Sequence, residues 1–326
     1  MDVAAGASEA MRYGAGRVTM GADKPAPGLC GAQSPRGREL DQEVRMARRP
    51  RTVLVTGCSS GIGAALANAF HDAGYTVYAT ARREDTLAPL RSRGIATMTL
   101  DVNDQMSIDV AVTRIEEEHE NVDVLINNAG FGAMGPLAEM PLSRLRRQFE
   151  TNVIGPVALT QAVVPGMVRR RRGCIVNIGS VSGVLTTPFA GAYCASKAAL
   201  HSLSDALRME LSPFGIAVVT VQPGAIRSRF GDTAVAGVTP PKRGESLYEP
   251  VEDGIQARAG ASQVDATSPE TVAAAVLRAV SRRRPPHTVR TGNGSLKLAL
   301  LRWLLPTRLL DRSLARRFGL DRLGRE

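Results

Sequence analysis

The sequence predicts an α/β domain, a doubly wound parallel sheet with helices on both faces, and three observations predict it. From Thr52 onward, short apolar runs bounded by Gly, Asp or Asn alternate with longer segments of helical period. The short runs are continuously apolar rather than alternating, which is the pattern of strands buried on both faces. The first of them leads straight into a glycine-rich turn and then a helical segment. Strand–helix alternation of this length is what parallel strands joined by crossover helices produce.

The elements follow in order. Residues 1 to 48, rich in Gly, Ala, Arg and Pro and without helical or strand period, read as a disordered extension in which Met20 and Met46 are alternative starts. Strands are expected at 52–56, 76–81, 96–100, 122–126, 174–178 and 216–221, with a seventh at 287–291. Helices are expected at 62–72, 104–118, 142–171, 192–211 and 269–282. Residues 225–268 interrupt the alternation with a long Gly/Pro-containing segment, a length usually reserved for lids and flexible loops. The main domain therefore runs from 49 to 294. In the tail, 295–326, Leu310, Leu314 and Phe318 recur every four residues among Arg308, Arg312, Arg316 and Arg317. That is a basic amphipathic helix, placed either on the body of the protein or a second subunit, or on a membrane surface.

Composition narrows the partners. A chain of 326 residues that is 44% hydrophobic can bury a sizeable core. The net charge of +10 sits in short runs such as 169–172 and 282–284 and in the tail, with no interleaved aromatics, so nucleic acid is not an expected partner. Cys30, Cys58, Cys174 and Cys194 have neither metal-ligand nor disulfide-scaffold spacing and read as reduced thiols of a cytoplasmic protein. His71, His119, His201 and His287 show no metal spacing, and no metal site is expected. No signal-peptide core and no uninterrupted apolar run of roughly 18 residues is seen, so no spanning segment is expected.

The first strand ends in Thr56-Gly57-Cys58-Ser59-Ser60-Gly61-Ile62-Gly63. Gly57 permits a tight turn, Gly61 lets backbone approach a phosphate, and Gly63 lets the helix pack closely on the strand, with the helix N-terminus facing a pyrophosphate. The second strand ends in Ala81, Arg82 and Arg83, where a binder of NAD would carry a carboxylate for the ribose hydroxyl. Guanidinium groups there suit a 2′-phosphate, which points to NADP(H). Asp101, ending the third strand, can accept from an adenine amino group, and Asn127-Asn128-Ala129-Gly130 ends the fourth.

Tyr193 and Lys197 stand four apart in a helical segment and share a face. Hydride addition to a carbonyl leaves an alkoxide that needs a proton, and a phenol of free pKa ~10 becomes useful when a neighbouring ammonium pulls it down. Ser180 closes the fifth strand and can orient the substrate oxygen. Asn152 can hold a water or a backbone carbonyl linking the lysine to solvent. Cys58 and Cys194 read as small packing residues. Phe131, Leu185 and Phe189 are either pocket lining or loop anchors.

The Thr56-Gly-x-x-x-Gly-x-Gly63 turn, the Asn127–Gly130 run, Ser180, Tyr193-x-x-x-Lys197 and Pro223-Gly224 together resemble the short-chain dehydrogenase/reductase superfamily, over roughly residues 50 to 225. The resemblance implies a single Rossmann-type domain with seven parallel strands. It implies a catalytic set of Asn152, Ser180, Tyr193 and Lys197, with Tyr193 as acid/base, Lys197 also holding the nicotinamide ribose and Pro223-Gly224 bordering the nicotinamide. The cofactor-binding set it implies is Gly57, Ser59, Ser60, Gly61, Ile62, Gly63, Arg82, Arg83, Asp101, Val102, Asn128, Ala129, Gly130, Tyr193, Lys197, Pro223, Gly224 and Ile226. The Gly57–Ser60 variant and the Val77–Arg82 strand look closest to the branch acting on steroids, retinoids and other lipophilic carbonyls. Where the family often has a Thr after its Pro-Gly, this chain has Ala225-Ile226-Arg227-Ser228, leaving Ser228 as the nearby hydroxyl.

The expected activity is thus hydride transfer between NADP(H) and a lipophilic carbonyl or secondary alcohol. The alternative is a non-catalytic NADP(H) sensor on the same fold, which would not need the proton-transfer residues. The superfamily resemblance also implies a homo-oligomer, formed through the long helices at 142–171 and 192–211. Peripheral membrane contact through the tail would bring the enzyme to a membrane-dissolved substrate.

Overall fold

The computed structural model describes residues 51–238 and 244–324. The expected N-terminal extension and Cys30 lie outside the described residues. Seven strands form one parallel sheet: β1 (Thr52–Val55), β2 (Thr76–Ala81), β3 (Ala96–Thr99), β4 (Val124–Asn127), β5 (Gly173–Ile178), β6 (Ile216–Pro223) and β7 (Thr288–Thr291). Their order across the sheet is β3-β2-β1-β4-β5-β6-β7. The chain builds outward from β1 in one direction, then restarts at β4 in the other. The carboxyl ends of β1 and β4 therefore diverge, and that is where an open α/β sheet takes its ligand.

The strand sequences explain their places. All four residues of β1 and of β4 are buried, as central strands require, whereas the edge strand β7 is half exposed. Successive side chains alternate between two helical layers. Val53 and Val55 face one core with Leu66 and Phe70 of α1 (Gly61–Asp72) and with Val272 and Val276 from the later helix Pro269–Val280. The short α2 (Ala88–Arg91) adds Leu90 to that first core, while Leu54 and Leu125 face the other, to which α3 (Gln105–His119) supplies Ile108, Val112 and Ile115.

The predicted helix at 142–171 is not uniform. It consists of α4 (Leu142–Phe149), a π-helical turn at Glu150–Ile154, and α5 (Gly155–Arg169). The whole run is long and apolar enough to cross a bilayer by composition, but half of its most apolar window is buried inside the domain. Leu159, Val163 and Met167 pack it against the sheet. The helix α6 (Gly191–Leu211) follows β5 on the same layer and adds Leu211.

The 225–268 segment is folded where it is described. It contains α7 (Arg229–Ala236) and α8 (Glu252–Gly260) and precedes α9 (Pro269–Val280). The tail forms two helices rather than one, α10 (Ser295–Leu304) and α11 (Thr307–Arg317), broken where Pro306 lacks an N–H to continue the first. Val251, Ile255, Ala259, Leu314 and Phe318 join Met134, Phe189 and Tyr193 in a third apolar cluster. This roof closes over the carboxyl edge of the sheet, and the Leu310, Leu314 and Phe318 face of the tail belongs to it or lies beside it.

Candidate functional site

A cleft of about 1220 Å³ runs along the carboxyl ends of the strands, lined by Gly57 after β1, Arg82 after β2, Asp101 after β3, Asn128 after β4, Ser180 after β5, Gly224 after β6 and Asn293 after β7. Every member of the expected cofactor set lines it except Gly63, which sits behind. The turn after β1 is held from within. Thr56 Oγ1 accepts from the backbone N–H of Asn128 and of Ala129 at 3.0 Å each, and Asn128 Nδ2 donates to the carbonyl oxygens of Thr56 and Gly57.

Two glycines there are required by geometry. Gly57 has φ +72°, and a Cβ on it would lie 2.8 Å from Ala129 Cα. A Cβ on Gly63 would lie 2.2 Å from the Gly57 carbonyl oxygen, so any larger residue would push α1 off the turn. The α1 N-terminus opens onto the cleft with no side-chain cap from Ser60 and no acidic residue in its first turn. Its N–H groups are free to bind an anion, the feature a dinucleotide pyrophosphate uses.

At the end of β2 the two arginines differ. Arg83 is forked onto Asp85, 3.1 Å from Nε to one carboxylate oxygen and 2.5 Å from NH2 to the other. Arg82 is exposed on the cleft and has no ion-pair partner among the described residues. Asp101 accepts from the Asn103 backbone N–H at 3.0 Å.

Deeper in, Ser180, Tyr193 and Lys197 come together, each less than a tenth exposed. Ser180 leaves β5 in extended backbone, and its hydroxyl accepts from Ser182 N–H at 3.0 Å beside the Tyr193 hydroxyl. Burial pushes the Tyr193 hydroxyl up to about 12, opposed by the Ser180 hydrogen bond and the positive charge of Arg258. Lys197 Nζ donates to the Ile178 carbonyl at 2.7 Å, and burial brings its pKa down to about 8.

Asn152 lies behind the cleft wall, on the π turn. Its amide is knitted to the loop after β4, accepting from Phe131 N–H at 3.1 Å and donating to the Phe131 carbonyl at 3.0 Å, with Ser196 Oγ at 3.2 Å. The backbone carbonyl it holds is thus that of Phe131. Phe131 and Leu185 line the cleft, whereas Phe189 is buried in the roof. Ser228 lines the cleft, its hydroxyl donating to the Ile226 carbonyl at 3.4 Å, and its Cβ would lie 2.8 Å from a Cβ added on Gly61.

Sequence reading missed several residues. Gln148 is fully buried and braces the same loop, accepting from Ala133 N–H at 2.6 Å and donating to the Phe131 carbonyl at 2.7 Å. His201 packs under the Ser180 turn; burial and Lys197 bring it down to about 4, and its neutral Nε2 faces the Ser180 N–H at 3.4 Å. Phe230 lies against Tyr193, ring centroids 5.3 Å apart, and Arg258 lines the same end of the cleft. Only the π turn left a trace in sequence, as polar Gln148 and Asn152 on a face that is otherwise apolar. Burial of Cys58 and Cys174 raises both thiols to about 12, which keeps them protonated.

The family profile described as short chain dehydrogenase matches residues 51–238. A short-chain dehydrogenase/reductase of Pestalotiopsis microspora is 34% identical, covering 85% of this chain and 97% of its own. Retinol dehydrogenase 8 of Homo sapiens is 37% identical over 74% of this chain and 81% of its own. Among solved structures, a short-chain dehydrogenase of Streptomyces avermitilis has TM-score 0.69 at 32% identity, covering 85% of this chain and 98% of that one. A serine dehydrogenase complexed with NADP+ has TM-score 0.64 at 29% identity, covering 74% and 94%. A Burkholderia phymatum member in complex with NAD has TM-score 0.67 at 25% identity, covering 77% and 92%.

Proposed function

This chain belongs to the short-chain dehydrogenase family of oxidoreductases, and on that premise we propose that it moves a hydride between NADP(H) and a lipophilic carbonyl or alcohol, with Tyr193 as general acid/base. The observation that carries this reading is the meeting of Ser180, Tyr193 and Lys197 in the cleft that the Gly57–Ile62 turn also lines. When bound, the cofactor gives up the hydride in reduction and takes it in oxidation. The residues present fit it. The uncapped α1 N-terminus and the Gly57–Gly61 backbone would hold the pyrophosphate, and Arg82 the 2′-phosphate. Asp101 and Val102 would border the adenine, with Pro223, Gly224 and Ile226 at the nicotinamide.

Ser180 Oγ would position the substrate oxygen, and Tyr193 Oη would pass it a proton in reduction or remove one in oxidation. Lys197 would hold the ribose hydroxyls and, once drawn toward them, favour the phenolate of Tyr193. The choice of NADP(H) is supported by arginines rather than a carboxylate at the two positions directly after β2, and by Arg82 having no ion-pair partner among the described residues; relatives of this fold are known with either NADP or NAD. Lipophilic substrate is supported by Phe131, Met134, Phe230 and Phe318 around the Tyr193 end and by similarity to retinol dehydrogenase 8.

Lipid contact is supported by α10. Leu296, Leu300, Trp303 and Leu304 form an exposed stripe flanked by Lys297 and Arg302, as interfacial helices do. A cytoplasmic, peripherally bound enzyme is consistent with it. Homo-oligomer formation through α4–α5 and α6 is supported by exposed Leu142, Ile154 and Met209.

The test follows oxidation of NADPH or NADH by the absorbance of the reduced cofactor, against a panel of lipophilic ketones, aldehydes, steroids and retinoids. Tyr193→Phe should lower kcat by roughly 10²–10⁴ while cofactor binding survives. Tight cofactor binding without turnover of any panel member would instead favour a sensor.

A further inference from the structure

Arg258 is a buried cation with no carboxylate paired to it among the described residues. It projects from α8 into the Tyr193 end of the cleft and is only 7% exposed. Its Nε donates to the neutral hydroxyl of Thr187 at 2.5 Å, and Cys194 lies close by. Among the described residues no ion pair joins Arg258 to a carboxylate, including Asp101 and Asp265, which line the same cleft. Burial, and to a lesser degree the charge of another cation, Arg317 of α11, lower the Arg258 pKa, and Arg317 also lines the cleft.

A guanidinium carries five N–H donors and cannot shed its charge by deprotonation. None of the Arg258 nitrogens is sealed away without a partner, so the donors not used on Thr187 face the cleft. A deeply buried guanidinium with a second cation on the same cleft and no carboxylate paired to it lacks compensation unless an anion enters the cleft. Around them the wall is apolar, with Met134, Leu314 and Phe318.

We propose that Arg258 forms an anion subsite for the substrate, so that the molecule reduced or oxidised at Tyr193 is an amphiphile with an apolar body and a carboxylate or phosphate group. Arg317 screens and supplements this subsite from the cleft rim. The inference rests on the hydride-transfer reading of the same cleft. It refines the substrate from lipophilic to lipophilic and anionic.

The test reads binding alone. With cofactor sites saturated by NADP+, calorimetry compares decanoate, decyl phosphate and decanol on the wild type, Arg258→Met and Arg258→Lys. Saturation keeps the anions out of the α1 phosphate site. At least one anion should bind the wild type roughly 10- to 100-fold more tightly than decanol. Arg258→Met should erase that preference and Arg258→Lys should keep part of it. The carboxylate and phosphate arms show which head group fits. Equal affinity for anion and alcohol in the wild type would overturn the proposal, as would an anion preference that survives in Arg258→Met. Anion preference without turnover of any carbonyl would keep the subsite and reject the enzyme; turnover without anion preference would do the reverse.

Discussion

Burial pulls both Tyr193 and Lys197, the pair proposed to handle the proton, toward their neutral forms, Tyr193 up to about 12 and Lys197 down to about 8. The Lys197 ammonium is present below about 8 and is lost as pH rises through that value. Since the folded pKa lies below the ordinary 10.5, charging Lys197 opposes folding fully below about 8, and the opposition fades between there and 10.5. If the ammonium serves catalysis, kcat/KM for reduction should fall as pH rises through about 8. A profile flat to about pH 10 would remove that role from Lys197. The two arginines after β2 make a second contrast. Arg82→Ala should raise the KM for NADPH by roughly tenfold and narrow the preference over NADH. Arg83→Ala should do less, because Asp85 already engages that guanidinium. A larger effect at Arg83, or a wild type that prefers NADH, would contradict the assignment.

At the scale of elements, the π turn between α4 and α5 is what brings Asn152 and Gln148 to bear on one strand of loop. Extra-residue turns of this kind recur at functional sites because they re-aim a side chain without ending the helix. Here the result is three side-chain hydrogen bonds to Phe131 and one to Ala133, all behind the wall of the cleft. Gln148→Leu would leave the Ala133 N–H and one of the bonds to the Phe131 carbonyl unmade, at a cost of roughly 1–3 kcal/mol. Urea unfolding should show that loss, with a raised KM for substrate as Phe131 drifts. An unchanged midpoint would mean that water replaces the amide. The same turn is why a helical period drawn through 142–171 describes the element but not its faces.

Across the whole molecule, the tail and the 225–268 segment close the site together. Phe318 is 5% exposed in the roof beside Val251 and Ile255, whereas Trp303 is 82% exposed. Phe318→Ala should cost about 3–5 kcal/mol and lower the melting temperature, since it empties a buried ring site. Trp303→Ala should leave the melt unchanged but weaken sedimentation with anionic phosphatidylserine vesicles. Vesicle binding indifferent to Trp303 would count against lipid contact through α10.

The sequence by itself determined the sheet, because continuous apolar runs can be buried on both faces only between helical layers. It also marked the turn after β1, Ser180, Tyr193 and Lys197, because these are local patterns whose spacing is set by one helix or one strand end. Strand order, the π turn and the roof were decided by tertiary packing. Arg258 is one arginine among many in a basic chain, and nothing in its neighbours along α8 sets it apart. Its isolation from carboxylates and its nearness to Tyr193 exist only once α8, α11 and α6 are packed around one cleft, since burial and charge environment are properties of residues far apart in the chain.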